Sequence, residues 1–208
     1  VTALTRRMDR RQLLLWIVAI FMLANVGAAI APSFLVLLAT RALAALAHGV
    51  FWSIVGPYAV RLVREKNAPR AMAVTFSGIS IATVVGVPLG AAIGIALGWR
   101  MALALIAVAS AAVLLAAWIF MPSVSSSNDR AEARLWTAAR RRPLTVLWFA
   151  TALAIGGHFA AFTYVAPFVT DGLMLSPSTL PILLFVFGAA GLAGNGLVGL
   201  ISASKQSH

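Results

Sequence analysis

Long apolar runs separated by short polar segments fill the whole chain. A helix needs about 20 apolar residues to cross a hydrocarbon core of about 30 Å, and six windows of the sequence meet that length. The windows are Gln12 to Ala31, Phe34 to Val63, Ala71 to Leu97, Trp99 to Met121, Thr145 to Thr170 and Leu180 to Ala203. The pattern therefore predicts an all-α fold, a polytopic membrane helix bundle with six transmembrane helices.

The composition excludes a soluble protein. Hydrophobic residues make up 62% of the chain and charged residues 10%, and the mean hydropathy is +0.97; a soluble domain of this length cannot bury that much apolar surface. The sequence has no cysteine, which excludes disulfides and thiolate metal sites. A net charge of +11 would suggest nucleic acid as the partner of a soluble chain. Here the basic residues flank apolar windows, so we expect the lipid bilayer, and no nucleic acid, as the partner.

The loops alternate strongly in charge. If each window spans once, 14 of the 16 basic residues lie on one side of the membrane. They are Arg6, Arg7, Arg10, Arg11, Arg61, Arg64, Lys66, Arg70, Arg130, Arg134, Arg140, Arg141, Arg142 and Lys205. Because basic residues near short loops mark the cytoplasmic side, we expect a multi-pass protein of the bacterial cytoplasmic (inner) membrane. Both ends of the sequence, which we interpret as a fragment, should then be cytoplasmic.

The stretch from Ala71 to Gly98, which contains the third window, carries a small residue at every fourth position. The series is Gly78, Ala82, Gly86, Gly90, Gly94 and Gly98. Membrane helices associate where small residues let their backbones approach. Pro88 lies inside the series, removes the hydrogen bond to the carbonyl of Val84 and is expected to kink the helix. A generic packing helix is one interpretation; the repetition and the proline favour a helix on which other helices move.

Several short motifs occur in a fixed order along these windows. They are the loop from Thr2 to Gln12 with Arg10 and Arg11 at its basic end, Arg41-Ala-Leu-Ala-Ala-Leu-Ala-His-Gly49, Gly86-Val-Pro-Leu-Gly90, Gly98-Trp-Arg100, Phe162-Thr-Tyr-Val-Ala-Pro167 and Gly194-Asn-Gly196. This order resembles the major facilitator superfamily, and within it the bacterial drug and sugar efflux branch of twelve-helix proton antiporters. The resemblance covers the whole chain, in register with family helices three to eight.

The resemblance implies a division of the chain. Residues 1–121 would be the last four helices of the N-terminal half, residues 122–144 the cytoplasmic linker between the halves, and residues 145–208 the first two helices of the C-terminal half. Six of an expected twelve transmembrane helices would then be present, and the missing helices of the same polypeptide would be partners. The segment from Gly86 to Gly94 with Pro88 would be the antiporter-motif helix, and Arg10 and Arg11 would belong to the cytoplasmic loop motif.

A few polar residues lie inside the apolar windows. Arg41, His48 and Trp52 are spaced seven and four apart, which places all three within roughly 20° of one line on a helix. His158 lies mid-window in the fifth span, with Tyr164 beyond it. These five residues are the candidate pathway for a solute and for protons. The alternatives stay open: Arg41 can snorkel to the outer end of its helix, and each histidine can be a packing residue.

Three classes of function remain. The first is secondary active transport by alternating access, with proton-coupled efflux of a sugar, nucleoside or drug-like compound. The second is an intramembrane enzyme using His48 or His158, which is disfavoured because the sequence supplies neither a metal-binding motif nor a catalytic acid beside a histidine; no cofactor is expected. The third is an inactive fragment or a structural membrane subunit without transport of its own.

Overall fold

The computed structural model describes residues 9–123 and 142–205, and in these ranges all regular structure is helical. The prediction of an all-α helix bundle is confirmed. Six stretches of the described residues are long and apolar enough to cross a membrane. They are Arg10–Ala29, Phe34–Arg61, Glu65–Leu97, Trp99–Phe120, Leu144–Gly172 and Pro177–Gly194. Their order matches the six predicted windows, with ends that differ by a few residues.

Eight α-helical elements make up these stretches. They are α1 (Arg10–Ala29), α2 (Phe34–Arg61), α3 (Ala68–Ile81), α4 (Val87–Leu97), α5 (Trp99–Phe120), α6 (Arg142–Thr163), α7 (Val165–Pro167) and α8 (Leu180–Lys205). Most of the large apolar side chains on them are exposed, as for Trp16 at 62% and Phe120 at 80%. Such surfaces suit lipid tails and neighbouring membrane helices rather than water.

The described residues fall into two compact units. One unit contains α1 to α5 together with α8, and in it α1 packs against both α2 and α5. A buried hydrophobic cluster in this unit joins Leu13, Leu14 and Ile17 of α1 to Ala47, Ile54 and Tyr58 of α2. The other unit contains α6 and α7.

Local capping explains where several helices begin and end. The side chain of Asp9 accepts a hydrogen bond from the backbone N–H of Arg11 at 3.0 Å, so α1 begins at Arg10, two residues before the predicted window. Ser33 caps α2 in the same way through the N–H of Val36. Gly98 separates α4 from α5 with a φ of 87°, in the left-handed region that favours glycine.

Two proline-containing spans are interrupted by π-helical turns. Residues Ala82–Gly86 form a π-helix between α3 and α4, and the N–H of Val87 donates to the carbonyl of Ala82, five residues earlier. Pro88 follows directly and is buried. In the other unit, Pro167 ends α7 and a second π-helix covers Phe168–Gly172. The interruption expected at Pro88 is therefore present as a widened turn, a common cause of helix bending.

Candidate functional site

Arg41 is anchored to the neighbouring helix. Its Nη1 donates a hydrogen bond of 3.0 Å to Oδ1 of Asn25 on α1. Asn25 is fully buried, and its own Nδ2 donates to the carbonyl of Phe21 at 2.8 Å, which fixes the orientation of its amide. A guanidinium carries five N–H donors, and the Asn25 bond uses one of them. Arg41 therefore presents a cation within the span of α2 in a direction set by α1.

His48 and Trp52 form a direct pair on α2. The indole Nε1 of Trp52 donates to Nε2 of His48 at 2.8 Å. An indole N–H is a donor only, so Nε2 of His48 must offer a lone pair in this arrangement. The two residues are four positions apart, so they lie one turn apart on the same face of α2. The structure thus joins His48 to Trp52 and Arg41 to Asn25.

The Trp52 ring lies at the centre of an aromatic cluster formed by Phe21, His48, Phe51, Trp52 and Phe76. Trp52 stacks on Phe76 of α3 with centroids 5.6 Å apart and planes 10° from parallel, and Phe51 meets it edge-on at 5.7 Å. Phe21 of α1 lies 6.1 Å from the His48 ring. The cluster therefore connects α1, α2 and α3 at mid-span.

Sequence reasoning missed Phe21, Phe51 and Phe76 because it searched for polar residues. Phe51 is adjacent to Trp52, and Phe76 lies two residues before Gly78 of the glycine series. An aromatic beside a small-residue face was the signal that could have found Phe76. Phe21 has no comparable sequence signal, since its contact depends on how α1 is rotated against α2.

A cavity of about 300 Å³ lies between α1, α2 and α5. Two polar side chains, His48 and Ser110, contribute to a lining that is otherwise apolar. The lining residues are Ile17, Val18, Phe21, Ala47, His48, Phe51, Ile106, Ala109, Ser110 and Val113. The hydroxyl of Ser110 donates to the carbonyl of Ile106 at 2.7 Å, which leaves its oxygen as an acceptor. His48 thus adjoins both the aromatic cluster and this cavity.

The candidate residues of the other unit lie on α6 and just after it. The His158 ring is 6.3 Å from the nearly parallel ring of Phe162 and 5.6 Å from Phe159, which meets it at 76°. Tyr164 is 70% exposed and occupies the turn between α6 and α7. It therefore lies where the helix is interrupted before Pro167.

The glycine series predicts that the backbone of another helix comes close to it. Among the described glycines, the shortest such distance is at Gly188, which is outside the series. Among the described residues, a Cβ atom added at Gly90 or Gly94 would meet nothing within 4 Å, and one at Gly86 would touch only Ala82 of the same segment. At Gly188 of α8, by contrast, an added Cβ would lie 2.7 Å from the carbonyl oxygen of Thr83. Among the described glycines, the closest approach to the interrupted helix is therefore at its π-helical turn.

Arg10 and Arg11, expected in a loop, are the first two residues of α1. Nη2 of Arg11 donates to the carbonyl oxygen of Trp118, near the end of α5. The hydroxyl of Tyr58 donates to the carbonyl oxygen of Pro122 at 2.6 Å, just beyond that helix. The Arg11 bond satisfies a carbonyl in the last turn of α5, which has no intrahelical partner, and the Tyr58 bond satisfies a carbonyl just after the helix. The beginning of α1 and the end of α2 are thereby tied to the end of α5.

Other predicted segments lie wholly or partly outside the described residues. The linker predicted at 122–144 is described only at its margins, and the loop motif between Thr2 and Met8 and the side chain of Asn195 are also outside. Within the described part of the chain, no group of three or more His, Asp or Glu residues is placed to hold a metal ion.

The described residues contain six apolar spans, an arginine hydrogen-bonded inside one of them and a proline-containing helix interrupted by a π-helical turn. These features define a polytopic α-helical membrane protein. Residues 1–207 match the family model of the Major Facilitator Superfamily, and the chain belongs to this superfamily of membrane transporters. The resemblance seen in the motifs is thus confirmed. Because the chain belongs to a family of transporters, the second class of function, an intramembrane enzyme, is excluded.

Curated proteins from two bacterial species that are similar to this chain are named as sugar efflux transporters. The chain is 33% identical over 203 residues to the "Probable sugar efflux transporter" of Helicobacter pylori strain P12. It is 37% identical over 191 residues to the protein of the same name from Haemophilus influenzae strain PittGG. These alignments cover 98% and 92% of this chain but 52% and 48% of the relatives. The chain therefore spans about half the length of the curated relatives it matches.

Proposed function

We propose that the chain forms part of a secondary active transporter that exports a small neutral solute in exchange for protons, with sugars as the leading substrate class. The observation that carries the proposal is the polar array on α2, where Arg41 bonded to Asn25 and His48 bonded to Trp52 lie within one apolar span. Charged and titratable groups inside a span are costly and mark solute or ion pathways. The names of the relatives support a sugar as the solute.

The array suits a polyhydroxylated ligand. A sugar offers oxygen acceptors to the remaining donors of Arg41 and an apolar C–H face to a ring of the aromatic cluster, of which Phe21 lies one turn from Asn25. Binding sites of this kind combine an apolar lining with a few placed polar groups that fix orientation. Arg41 would hold the hydroxyls, and the aromatic cluster would supply the apolar contact.

Proton coupling would use the histidines of the pathway. Among the described residues, Glu65 and Asp171 lie at or next to the ends of their spanning stretches, so neither is placed at mid-span. His48 and His158 are the mid-span groups of a residue type that can take up and release a proton. Within this proposal, Tyr164 lies six residues after His158, at the interruption before Pro167, where a helix can bend as the pathway opens.

Alternating access requires further helices from the same polypeptide. Transporters of this kind bind solute near the midplane between repeated helix bundles that rock about the site. We propose that residues 1–121 and 145–208 belong to the two bundles, with residues 122–144 as the linker. Gly86, Pro88, Gly90 and Gly94 would then form the antiporter-motif helix, and its open positions Gly90 and Gly94 would contact helices outside this chain.

The experiment is efflux from proteoliposomes that contain the complete polypeptide. A set of sugars, a nucleoside and a lipophilic cation is loaded, and release is followed with and without an imposed pH gradient. We expect sugar release that depends on the gradient, and loss of at least about tenfold in Arg41→Gln, since a bond to a charged group contributes roughly 1.5 to 3 kcal/mol. Arg64→Gln, at an exposed loop position, is the matched control.

Four outcomes would contradict the proposal or one of its parts. Release of the cation alone would overturn the neutral-solute assignment, and release that ignores the pH gradient would overturn proton exchange. Equal sugar efflux by the parent and Arg41→Gln would remove Arg41 from the pathway. No release of any solute by a well-folded polypeptide would favour a structural subunit.

A further inference from the structure

The bond between Trp52 and His48 fixes which nitrogen of the imidazole carries the proton. A neutral imidazole has one N–H and one acceptor nitrogen, and the partner of one nitrogen determines the state of the other. Because Trp52 donates to Nε2 at 2.8 Å, the hydrogen of neutral His48 lies on Nδ1. His48 is therefore a hydrogen-bond donor at its second ring nitrogen.

Two other aromatic rings hold the indole of Trp52 in place. Phe76 of α3 covers one face of the indole at 5.6 Å and 10°, and Phe51 meets the ring at 82°. Aromatic pairs in these geometries contribute about 0.5 to 1.5 kcal/mol beyond their burial. The direction of the indole N–H is thus set by α2, which also carries His48, and by α3.

The surroundings of His48 offer no competing titratable group among the described residues. On the α1 side it meets Phe21, and the α1 and α5 residues that line the shared cavity are apolar except for Ser110. On the α3 side the cluster contributes Phe76. The nearest charge on its own helix is Arg41, about two turns earlier, whose Nη1 is bonded to Asn25.

We propose that Trp52 is a positioning residue that holds His48 in the Nδ1–H tautomer and so makes it a donor to an oxygen acceptor of the transported solute. The part of this inference that concerns the solute rests on the proposed function; the tautomer does not. A hydroxyl, ring or carbonyl oxygen finds a partner at Nδ1–H, whereas an ammonium group, which has only N–H donors, finds none. Trp52 thereby contributes to selection of neutral oxygen-rich solutes over amines.

The first test observes the tautomer directly. The complete polypeptide is labelled with ¹⁵N-histidine in lipid bilayers at about pH 8, above the range in which histidine ordinarily titrates. The His48 signals are those lost in His48→Gln. In the parent we expect the unprotonated nitrogen to correlate with both ring C–H protons, as Nε2 does. In Trp52→Phe, which keeps the stacking but removes the N–H, we expect the Nε2–H tautomer to appear.

Two further variants separate the roles of the indole. Trp16→Phe replaces a tryptophan that is 62% exposed and lies outside the cluster, and should leave the His48 spectrum unchanged. Phe76→Leu keeps the indole N–H but removes its stacking partner, and should give a mixture of tautomers. An Nε2–H tautomer in the parent, or one spectrum shared by the parent and Trp52→Phe, would overturn the proposal.

The second test measures solute binding by the same polypeptide. Trp52→Phe should weaken sugar binding by about three- to tenfold, the effect of one hydrogen bond. His48→Asn keeps an N–H donor near the Nδ1 position without needing Trp52, so Trp52→Phe should cost nothing further in that background. A further loss there would show that Trp52 acts by itself. An altered tautomer with unaltered sugar binding would refute the proposed solute contact and leave the tautomer assignment standing.

Discussion

Replacing Gly188 by alanine tests the packing of α8 on the π-helical turn at residues 82–86. The added Cβ would lie 2.7 Å from the carbonyl oxygen of Thr83, 2.9 Å from Cα of Val84 and 3.0 Å from the carbonyl carbon of Thr83. Ordinary contacts begin near 3.4 Å. All three neighbours are backbone atoms, so no side-chain rotation can relieve the clash.

The magnitude follows from two opposing effects. Alanine in place of glycine stabilises a helix interior by about 0.5 to 1 kcal/mol. Overpacking that forces the backbone to shift costs typically 1 to 3 kcal/mol. The first effect is shared by Gly191→Ala, because an added Cβ at Gly191 meets no described atom within 4 Å. The difference between the two variants should therefore isolate the overpacking cost of about 1 to 3 kcal/mol.

The assay is thermal unfolding of the complete polypeptide in detergent, followed by the loss of its monodisperse peak in size-exclusion chromatography. Gly188→Ala should unfold at a temperature several degrees lower than Gly191→Ala, and Gly188→Val lower still. Equal midpoints for the two alanine variants would refute the close approach. A lowered midpoint in Gly191→Ala alone would place the contact one helical turn away from where the structure has it.

Two other predictions follow from the same helices. Tyr58→Phe removes the bond to the carbonyl of Pro122 from a buried ring and should lower the free energy of unfolding by about 0.5 to 1.5 kcal/mol; Tyr164→Phe, at an exposed position, should leave the unfolding midpoint unchanged. Because the chain has no cysteine, a single cysteine at Ser33 should react with an impermeant thiol reagent outside intact cells, and one at Asn67 only after permeabilisation; labelling of Asn67 in sealed cells would reverse the proposed orientation.

The number and order of the spans could be predicted because apolar length is a local property of the sequence. A run such as Trp99 to Met121 is too apolar for water whatever its neighbours do. Helix ends were harder, since the start of α1 depends on the Asp9 side chain accepting the N–H of Arg11. The predicted common face of His48 and Trp52 was also local, because both residues belong to one helix.

Contacts between helices could not be predicted in this way. Asn25 and Arg41 meet only for one rotation of α1 against α2, and spans that are apolar on all sides have no strong periodicity to fix that rotation. The same applies to Phe21 and Phe76 around the paired His48 and Trp52. The residue types of the candidate site were therefore visible in the sequence, but their hydrogen-bond partners were not.

The glycine series and the contact at Gly188 are linked through the carbonyl of Thr83. In a regular α-helix the N–H of Val87 would donate to Thr83, but here it donates to Ala82. Pro88, the next residue, has no N–H that could donate to the Thr83 carbonyl instead. The widened turn thus presents the Thr83 carbonyl to α8, and a helix can approach that oxygen closely only where it carries no side chain. Pro88 lies in the interrupted helix, whereas Gly188, the glycine that the exposed Thr83 carbonyl requires, lies on α8.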